Sequence, residues 1–87
     1  MRNEIIDVPF VVIWQAPVRI RAGAGYHETI RGPEDALQFL TYRWPTSEGQ
    51  HFDAARRTCV RALQKRAACE DARVVFVSAA IEASMLA

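Results

Sequence analysis

Apolar and charged residues alternate in the N-terminal third of the chain, which is the pattern of a half-exposed β-strand. Over residues 18–22 (VRIRA), small or apolar side chains fall on one face, and the guanidinium groups of Arg19 and Arg21 fall on the other. The Gly-Ala-Gly that follows, residues 23–25, predicts a hairpin turn because glycine tolerates the backbone angles of tight turns. We therefore predict a hairpin whose second strand begins near Tyr26.

Loop length decides which residues face each other across this hairpin. A two-residue loop would oppose Val18 to Thr29, whereas a three-residue loop puts Tyr26 and Ile30 on the apolar face. We favour the three-residue loop. It places the charged Glu28 beside the apolar face, which is tolerable if Glu28 lies near the edge of the sheet. Its predicted cross-strand pairs are Val18 with Ile30, Ile20 with Glu28, and Ala22 with Tyr26.

A run of β-branched and aromatic residues precedes the hairpin. Residues 10–14 (FVVIW) have the length and composition of a buried strand. Pro17 interrupts any hydrogen-bonded ladder between this run and the next strand. We expect residues 1–7 to form a flexible polar tail and residues 8–87 to form a single domain.

A helix start follows the hairpin. Pro33 suits the first helical position, and the acidic Glu34 and Asp35 interact favourably with the helix dipole in the first turn. The Trp-Pro pair, residues 44–45, ends this helix because a residue before proline disfavours the α conformation. The first helix is therefore predicted over residues 33–43. Its apolar side is formed by Ala36, Leu37, Leu40 and Trp44.

A second helix is predicted from the amphipathic pattern over residues 50–66. Ser47 and Gln50 stand three residues apart and suit a capping box at its start. No strong helix breaker follows, so the boundary with the third helix stays open. The apolar stripe of the second helix consists of Phe52, Ala55, Cys59, Ala62 and Leu63.

The third helix is predicted over about residues 70–86 and carries two apolar faces. Residues 73–77 alone also fit a strand, but the alanines after them favour a helix. One face is formed by Ala72, Phe76, Ala79, Ala80 and Ala83. The other, at the helical spacing i, i+3, i+7, is formed by Val74, Val77 and Ile81.

This order of elements indicates an α+β fold. Two or three N-terminal strands form a small antiparallel sheet, and three helices follow them and pack on one face, giving the order β-β-(β)-α-α-α. The chain has only 87 residues. A domain of this size buries roughly 60% of the surface that its unfolded chain exposes, so a second copy or another protein partner would add stability.

The composition indicates the general class of protein but does not identify its function. The chain is 51% hydrophobic and 24% charged with a formal net charge of +1, which is typical of a folded domain rather than a disordered chain. The apolar residues 8–14 are far fewer than the roughly 20 that cross a membrane. Glu4 and Asp7 lie where a signal peptide carries positive charge. We expect a cytoplasmic protein that makes no membrane contact.

The residues that could support catalysis do not converge in the sequence. Cys59 lies in an apolar stripe, and His51 is about 12 Å away along the helix at ~1.5 Å per residue. Cys69 lies near a helix N-terminus, where Glu70 and Asp71 oppose thiolate formation. The two histidines show no recognisable metal-ligand spacing. We therefore predict no enzymatic activity, no cofactor and no metal site.

The second helix carries five basic residues against Asp53 alone, a pattern that suits contact with nucleic-acid phosphates. These residues are Arg56, Arg57, Arg61, Lys65 and Arg66. Against this stand the near-neutral chain and an i, i+4 pair of Asp53 with Arg57. No exposed aromatic platform is evident among these arginines either. A solvated helix face is therefore the favoured interpretation.

The stripe of Val74, Val77 and Ile81 allows two interpretations. It either packs against the sheet or forms a self-complementary surface for a two-fold dimer. Trp14 and Trp44 are expected to fill the core rather than line a ligand pocket. Together these features predict a non-enzymatic protein-interaction or regulatory domain that is capable of self-association. The alternative is a nucleic-acid-binding accessory protein that uses its Arg-rich second helix.

Several short segments follow one another in a distinctive order: residues 16–20 (APVRI), 32–37 (GPEDAL), 43–45 (RWP), Ala54-Ala55 with Cys59 and Ala62-Leu63, and Ala72-Arg73 with Phe76. Over residues 14–85, this order and spacing resemble those of domain of unknown function family 982, which consists of small bacterial proteins common in rhizobia and their relatives. The resemblance implies the α+β architecture but no activity, because the family is uncharacterised. Two departures stand out. Residues 8–13 extend beyond the usual start, and residues 65–67 replace a glycine that often ends the second helix of the family.

Overall fold

The computed structural model describes residues 13–21, 25–45 and 49–87. Within them a two-stranded antiparallel hairpin is followed by three helices, which is the predicted α+β arrangement. The elements are β1 (Val18–Arg21), β2 (His27–Ile30), α1 (Pro33–Tyr42), α2 (Gln50–Leu63) and α3 (Cys69–Glu82). The predicted tail, residues 1–7, and most of the predicted first strand, residues 10–12, lie outside the described residues.

The register of the hairpin is the predicted one. Val18 faces Ile30 and Ile20 faces Glu28, as a three-residue loop requires. Val18, Ile20 and Ile30 are all buried on the side of the sheet that meets the helices. Glu28 is stabilised beside that face by an ion pair in which Arg43 Nη1 donates to Glu28 Oε2 at 2.9 Å.

One prediction about the N-terminal region is wrong, and a second fails at the two residues where the structure describes it. Tyr26 was expected on the apolar face but is 71% exposed, because it lies at the turn end of the hairpin, beyond the helices that cover Ile20 and Ile30. The described end of the predicted first strand, Ile13 and Trp14, is not a strand. Trp14 is nevertheless buried, and its backbone N–H donates to the carbonyl oxygen of Arg31 at 2.8 Å.

Residues 85–87 extend the two-stranded sheet by one bridge at the β1 edge. Leu86 lies opposite Ile20 in an antiparallel bridge, on the side of β1 away from β2. The prediction that the third helix extends to residue 86 is therefore wrong, because the helix ends at Glu82 and Leu86 pairs with β1. Two backbone hydrogen bonds make this pairing, from Arg21 N to Met85 O (2.7 Å) and from Ala87 N to Arg19 O (3.1 Å).

Helices α2 and α3 end in the same way, at a non-glycine residue in the left-handed conformation. These residues are Lys65, with φ of 62°, and Ser84, with φ of 58°. Each helix therefore ends in a Schellman motif, in which the residue after the left-handed one bonds back to the helix. α2 thus ends at Leu63 rather than at residue 66 as predicted. The closing bonds run from Arg66 N to Arg61 O and from Met85 N to Ala80 O, both 2.7 Å.

α2 starts at Gln50, as predicted, but without the predicted capping box. Its N-cap is Gly49, which makes no side-chain capping bond, and Ser47 of the predicted capping box lies outside the described residues. Gly49 has φ of 127°, and a Cβ atom there would lie 2.8 Å from Oε1 of Glu82. The backbone conformation therefore favours glycine here, whereas the Glu82 carboxylate is the end of a flexible side chain that can move aside.

The core is organised around Phe76 of α3, which is fully buried. The Trp14 ring lies 5.9 Å from it and the Trp44 ring 5.7 Å, measured between ring centroids. Trp44 also packs against Phe39 and Phe52. Both tryptophans therefore belong to the core, as predicted.

α3 contacts α2, α1 and β1, so its outer side is the part that can face solvent.

Candidate interaction surfaces

α3 presents apolar side chains to solvent along one side. We call Val74, Val77 and Ile81 the α3 stripe. Val74 is 63% exposed and Ile81 is 60% exposed, whereas Val77 is partly buried and packs against the core. Of the two interpretations left open by the sequence, packing of the whole stripe against the sheet is therefore excluded. The opposite face, with Ala72, Phe76, Ala79 and Ala80, is buried as predicted.

Carboxylates lie near both ends of the α3 stripe. Glu70 and Asp71 are exposed at the start of the helix, and Oε2 of Glu70 accepts a hydrogen bond from the backbone N–H of Gln15 at 3.1 Å. At the other end, Ile81 and Glu82 border a shallow groove toward the start of α2. The stripe is thus an apolar patch with acidic ends.

Three of the basic residues that the sequence singled out lie on the outer side of α2, and the other two follow the end of the helix. All five are exposed: Arg56, Arg57, Arg61, Lys65 and Arg66. The predicted ion pair between Asp53 and Arg57 does not form, and the ion pair found among the described residues is the Arg43–Glu28 pair. Another of the five residues, Arg61, donates a hydrogen bond from Nη2 to the carbonyl oxygen of Arg66 at 3.5 Å. Exposed ion pairs contribute little free energy, so an unpaired arrangement costs little.

The outer face of the sheet is a second, smaller basic surface. Arg19 and Arg21 alternate with the buried residues of β1, as the sequence predicted. Across the hairpin, Arg19 Nη2 lies 3.4 Å from Nδ1 of His27. This face is on the side of the sheet away from the helices, so it is separate from the outer face of α2.

The two thiols are poor nucleophiles in this environment. Burial raises the pKa of Cys59 to about 12, and the nearby Cys69 adds to the shift. Desolvation raises the pKa of Cys69, and the negative charge of Glu70 raises it further. Both thiols are therefore protonated at neutral pH, whereas a catalytic cysteine needs a lowered pKa.

Metal-binding and membrane-spanning features are absent from the described part of the chain. No three His, Cys, Asp or Glu side chains converge there as metal ligands. None of the helices described there has both the length and the apolar character that crossing a membrane requires.

The bridge between Leu86 and Ile20 at the edge of the sheet is a structural feature that the sequence does not predict. Residues 50–87 contain neither glycine nor proline, so nothing in the sequence marks where the third helix stops. Ser84 adopts the left-handed conformation without being the residue type that signals it. The helical pattern of the sequence therefore predicts helix for the bridge residue Leu86 as well.

A family model described as a protein of unknown function, DUF982, matches residues 16–87. The match covers the hairpin, all three helices and residues 85–87. No curated protein and no solved structure matches the chain.

Proposed function

The chain belongs to the DUF982 family of proteins of unknown function, and we propose that it is a non-enzymatic protein-interaction or regulatory domain that self-associates through the α3 stripe. The observation that carries this proposal is the exposure of Val74 and Ile81, at 63% and 60%. They are seven residues apart, about two helical turns, and so lie on the same side of α3. Complete burial of each side chain stabilises a complex by roughly 1.5–3 kcal/mol.

The small size of the domain supports the same proposal. Single exposed apolar residues are normal on protein surfaces, whereas contiguous apolar patches mark interaction sites, and the α3 stripe groups three apolar residues on one side of a helix. A small domain also gains proportionally more from burying such a face.

We include the cytoplasm as the compartment in this proposal. Cys59 and Cys69 are both free thiols, which fits a reducing environment. The raised pKa values of both thiols support the non-enzymatic part of the proposal, because they disfavour the reactive thiolate.

The proposal is tested by placing charges on the α3 stripe. In the double variant Val74→Glu and Ile81→Glu, Val77 is left unchanged because it packs against the core. We expect a dimer of the parent protein to become a monomer by light scattering, with the melting curve from circular dichroism preserved. Val60→Glu is the matched control, since Val60 is an exposed valine in the middle of α2. A folded double variant that keeps the parent mass overturns the proposal.

A second candidate function is nucleic-acid binding by α2 and the residues that follow it, favoured by their five exposed basic side chains. Neutralising phosphates with these side chains would give binding that weakens steeply with salt. We expect Arg57→Glu with Arg61→Glu to abolish binding to mixed DNA or RNA oligonucleotides at low salt. The control is Arg19→Glu with Arg21→Glu on the sheet. Absence of binding by the parent protein overturns this candidate.

A further inference from the structure

Four exposed polar side chains lie at the corners of a square on the outer face of the sheet. We call them the sheet patch: Arg19, Arg21, His27 and Thr29. In the register of the hairpin, Arg19 lies opposite Thr29 and Arg21 lies opposite His27. Cβ atoms of opposite residues are about 4.5–5.5 Å apart, and alternate residues of one strand are about 6–7 Å apart. The patch is therefore compact enough for all four side chains to reach one tetrahedral anion.

Each side chain of the sheet patch can donate a hydrogen bond. Arg19 Nη2 lies 3.4 Å from Nδ1 of His27. A guanidinium group has no acceptor, so Nδ1 accepts this bond and the proton of the neutral imidazole is on Nε2. The Arg21 guanidinium and the Thr29 hydroxyl add further donors. Guanidinium groups are the side chains that match the geometry of phosphate oxygens best.

The positive charge of the sheet patch is not neutralised within the part of the chain that the structure describes. The nearest carboxylate in sequence, Glu28, lies beside the helix-facing side of the sheet and pairs with Arg43. No ion pair among the described residues reaches the patch. Arg21 also lies directly opposite His27, and like charges in that position destabilise a sheet when the imidazole is protonated. An anion bound between these side chains removes that repulsion.

A groove on the same face adjoins the sheet patch at Thr29. We call it the Ile13 groove, and it is lined by Ile13, Trp14, Gln15, Pro17, Thr29 and Arg31. Its volume is about 290 Å³, near the lower limit of about 300 Å³ for small-molecule sites. Ile13 is 62% exposed, so the groove offers an apolar wall to a ligand. The groove therefore suits a small apolar group attached to the anion.

We propose that the outer face of the sheet binds a small phosphate monoester, with its phosphoryl group on the sheet patch and its apolar group in the Ile13 groove. A monoester has three terminal oxygens and a charge near −2, so it accepts bonds from several donors at once. A phosphodiester, as in nucleic acid, has two terminal oxygens and a single negative charge, so it makes fewer of these bonds. The site is separate from the α3 stripe and goes beyond the proposed self-association.

The two histidines of the chain provide a direct test, because only His27 belongs to the sheet patch. Phenyl phosphate is titrated into the parent protein at constant ionic strength and followed by NMR. We expect the ring signals of His27 and the methyl signals of Ile13 to shift until they saturate. His51 is the internal reference, because it shares a groove with the carboxylate of Glu82, which repels anions. Inorganic phosphate is expected to bind more weakly and to leave the Ile13 signals unchanged.

Removing one guanidinium group tests the sheet patch itself. Arg19→Gln is an exposed substitution that loses the charged donor and the contact with His27. We expect the dissociation constant for phenyl phosphate to rise about tenfold or more, with the melting curve from circular dichroism preserved. Arg57→Gln is the matched control, because it removes the same charge from an exposed position of α2. It is expected to leave the affinity unchanged.

Four outcomes contradict the proposal. Signals of His27 that do not saturate, or that shift no more than those of His51, overturn the site. Binding that Arg19→Gln leaves as tight as in the parent protein overturns the sheet patch as its location. Dimethyl phosphate that binds as tightly as phenyl phosphate overturns the preference for a monoester. Inorganic phosphate that binds as tightly as phenyl phosphate overturns the part assigned to the Ile13 groove.

Discussion

The indole Nε1 of Trp14 donates a 2.7 Å hydrogen bond to the backbone carbonyl oxygen of Cys69. This bond fixes the chain before β1 against the start of α3, across 55 residues of sequence. It also satisfies the polar group of a side chain that is only 4% exposed. The ring fills the core beside Phe76, so packing and hydrogen bonding can be separated by substitution.

We predict that Trp14→Phe lowers the free energy of unfolding by about 1–2 kcal/mol and that Trp14→Ala lowers it by about 3–5 kcal/mol. Phenylalanine keeps most of the apolar volume but loses the hydrogen bond, whereas alanine also leaves a cavity. Urea denaturation of the three proteins measures both values. Equal losses in the two variants would show that packing of the ring contributes nothing beyond its hydrogen bond.

Lys65 is predicted to be a position where glycine stabilises the protein. Its φ of 62° strains a side chain with a Cβ atom, and the Schellman bonds at the end of α2 hold it there. Lys65→Gly should raise the free energy of unfolding by about 0.5–1 kcal/mol in urea denaturation. Lys65→Ala is the control, because it removes the charge but keeps the strain. A gain in the alanine variant equal to that in the glycine variant would contradict the backbone explanation.

Cys59 is predicted to make the protein sensitive to alkaline pH. Burial raises the pKa of this thiol from 9.0 to about 12 in the folded protein. The resulting stabilisation is fully present below pH 9 and is lost as the pH rises toward 12, because the unfolded chain gains the thiolate first. Cys59→Ala should start from a lower stability but decline less between these pH values. Parallel declines of the urea midpoints of the two proteins would contradict this.

The Arg43–Glu28 ion pair is predicted to contribute little by itself. Its side chains are 50% and 38% exposed, and solvent screens such pairs, so Glu28→Gln should cost less than about 1 kcal/mol. Arg43→Ala should cost more, because the guanidinium carbon also lies 4.6 Å from the ring centroid of Phe39. A double-mutant cycle in urea separates the two contributions. A coupling energy well above 1 kcal/mol would contradict the screening argument.

The sequence predicts those parts of the fold that depend on short-range rules. The hairpin register follows from loop length and the apolar face, and the start of α1 follows from Pro33 and the acidic first turn. The termination of α3 could not be predicted, because Ser84 adopts a left-handed conformation without glycine. Tyr26 was misplaced because alternation along a strand does not show where the covering helices end.

For the candidate surfaces, too, the sequence predicts the local pattern but not the tertiary packing. Periodicity identifies the α3 stripe and the basic face of α2 as distinct sides of their helices. Whether Val74 and Ile81 meet the sheet or solvent depends on how α3 packs against α2 and β1, which is a tertiary property. The bridge at Leu86 depends on a reversal of the chain at Ser84 that no residue type marks.

Light scattering coupled to size-exclusion chromatography tests the central claim, self-association through the α3 stripe, most directly. The parent protein and the Val74→Glu, Ile81→Glu variant are compared over a range of concentrations near 0.1 M salt, with absorbance at 260 and 280 nm recorded across each peak. We predict a parent mass twice that of the chain, without nucleic acid, and a folded variant of single-chain mass. A parent protein that keeps the mass of one chain at every concentration would contradict it.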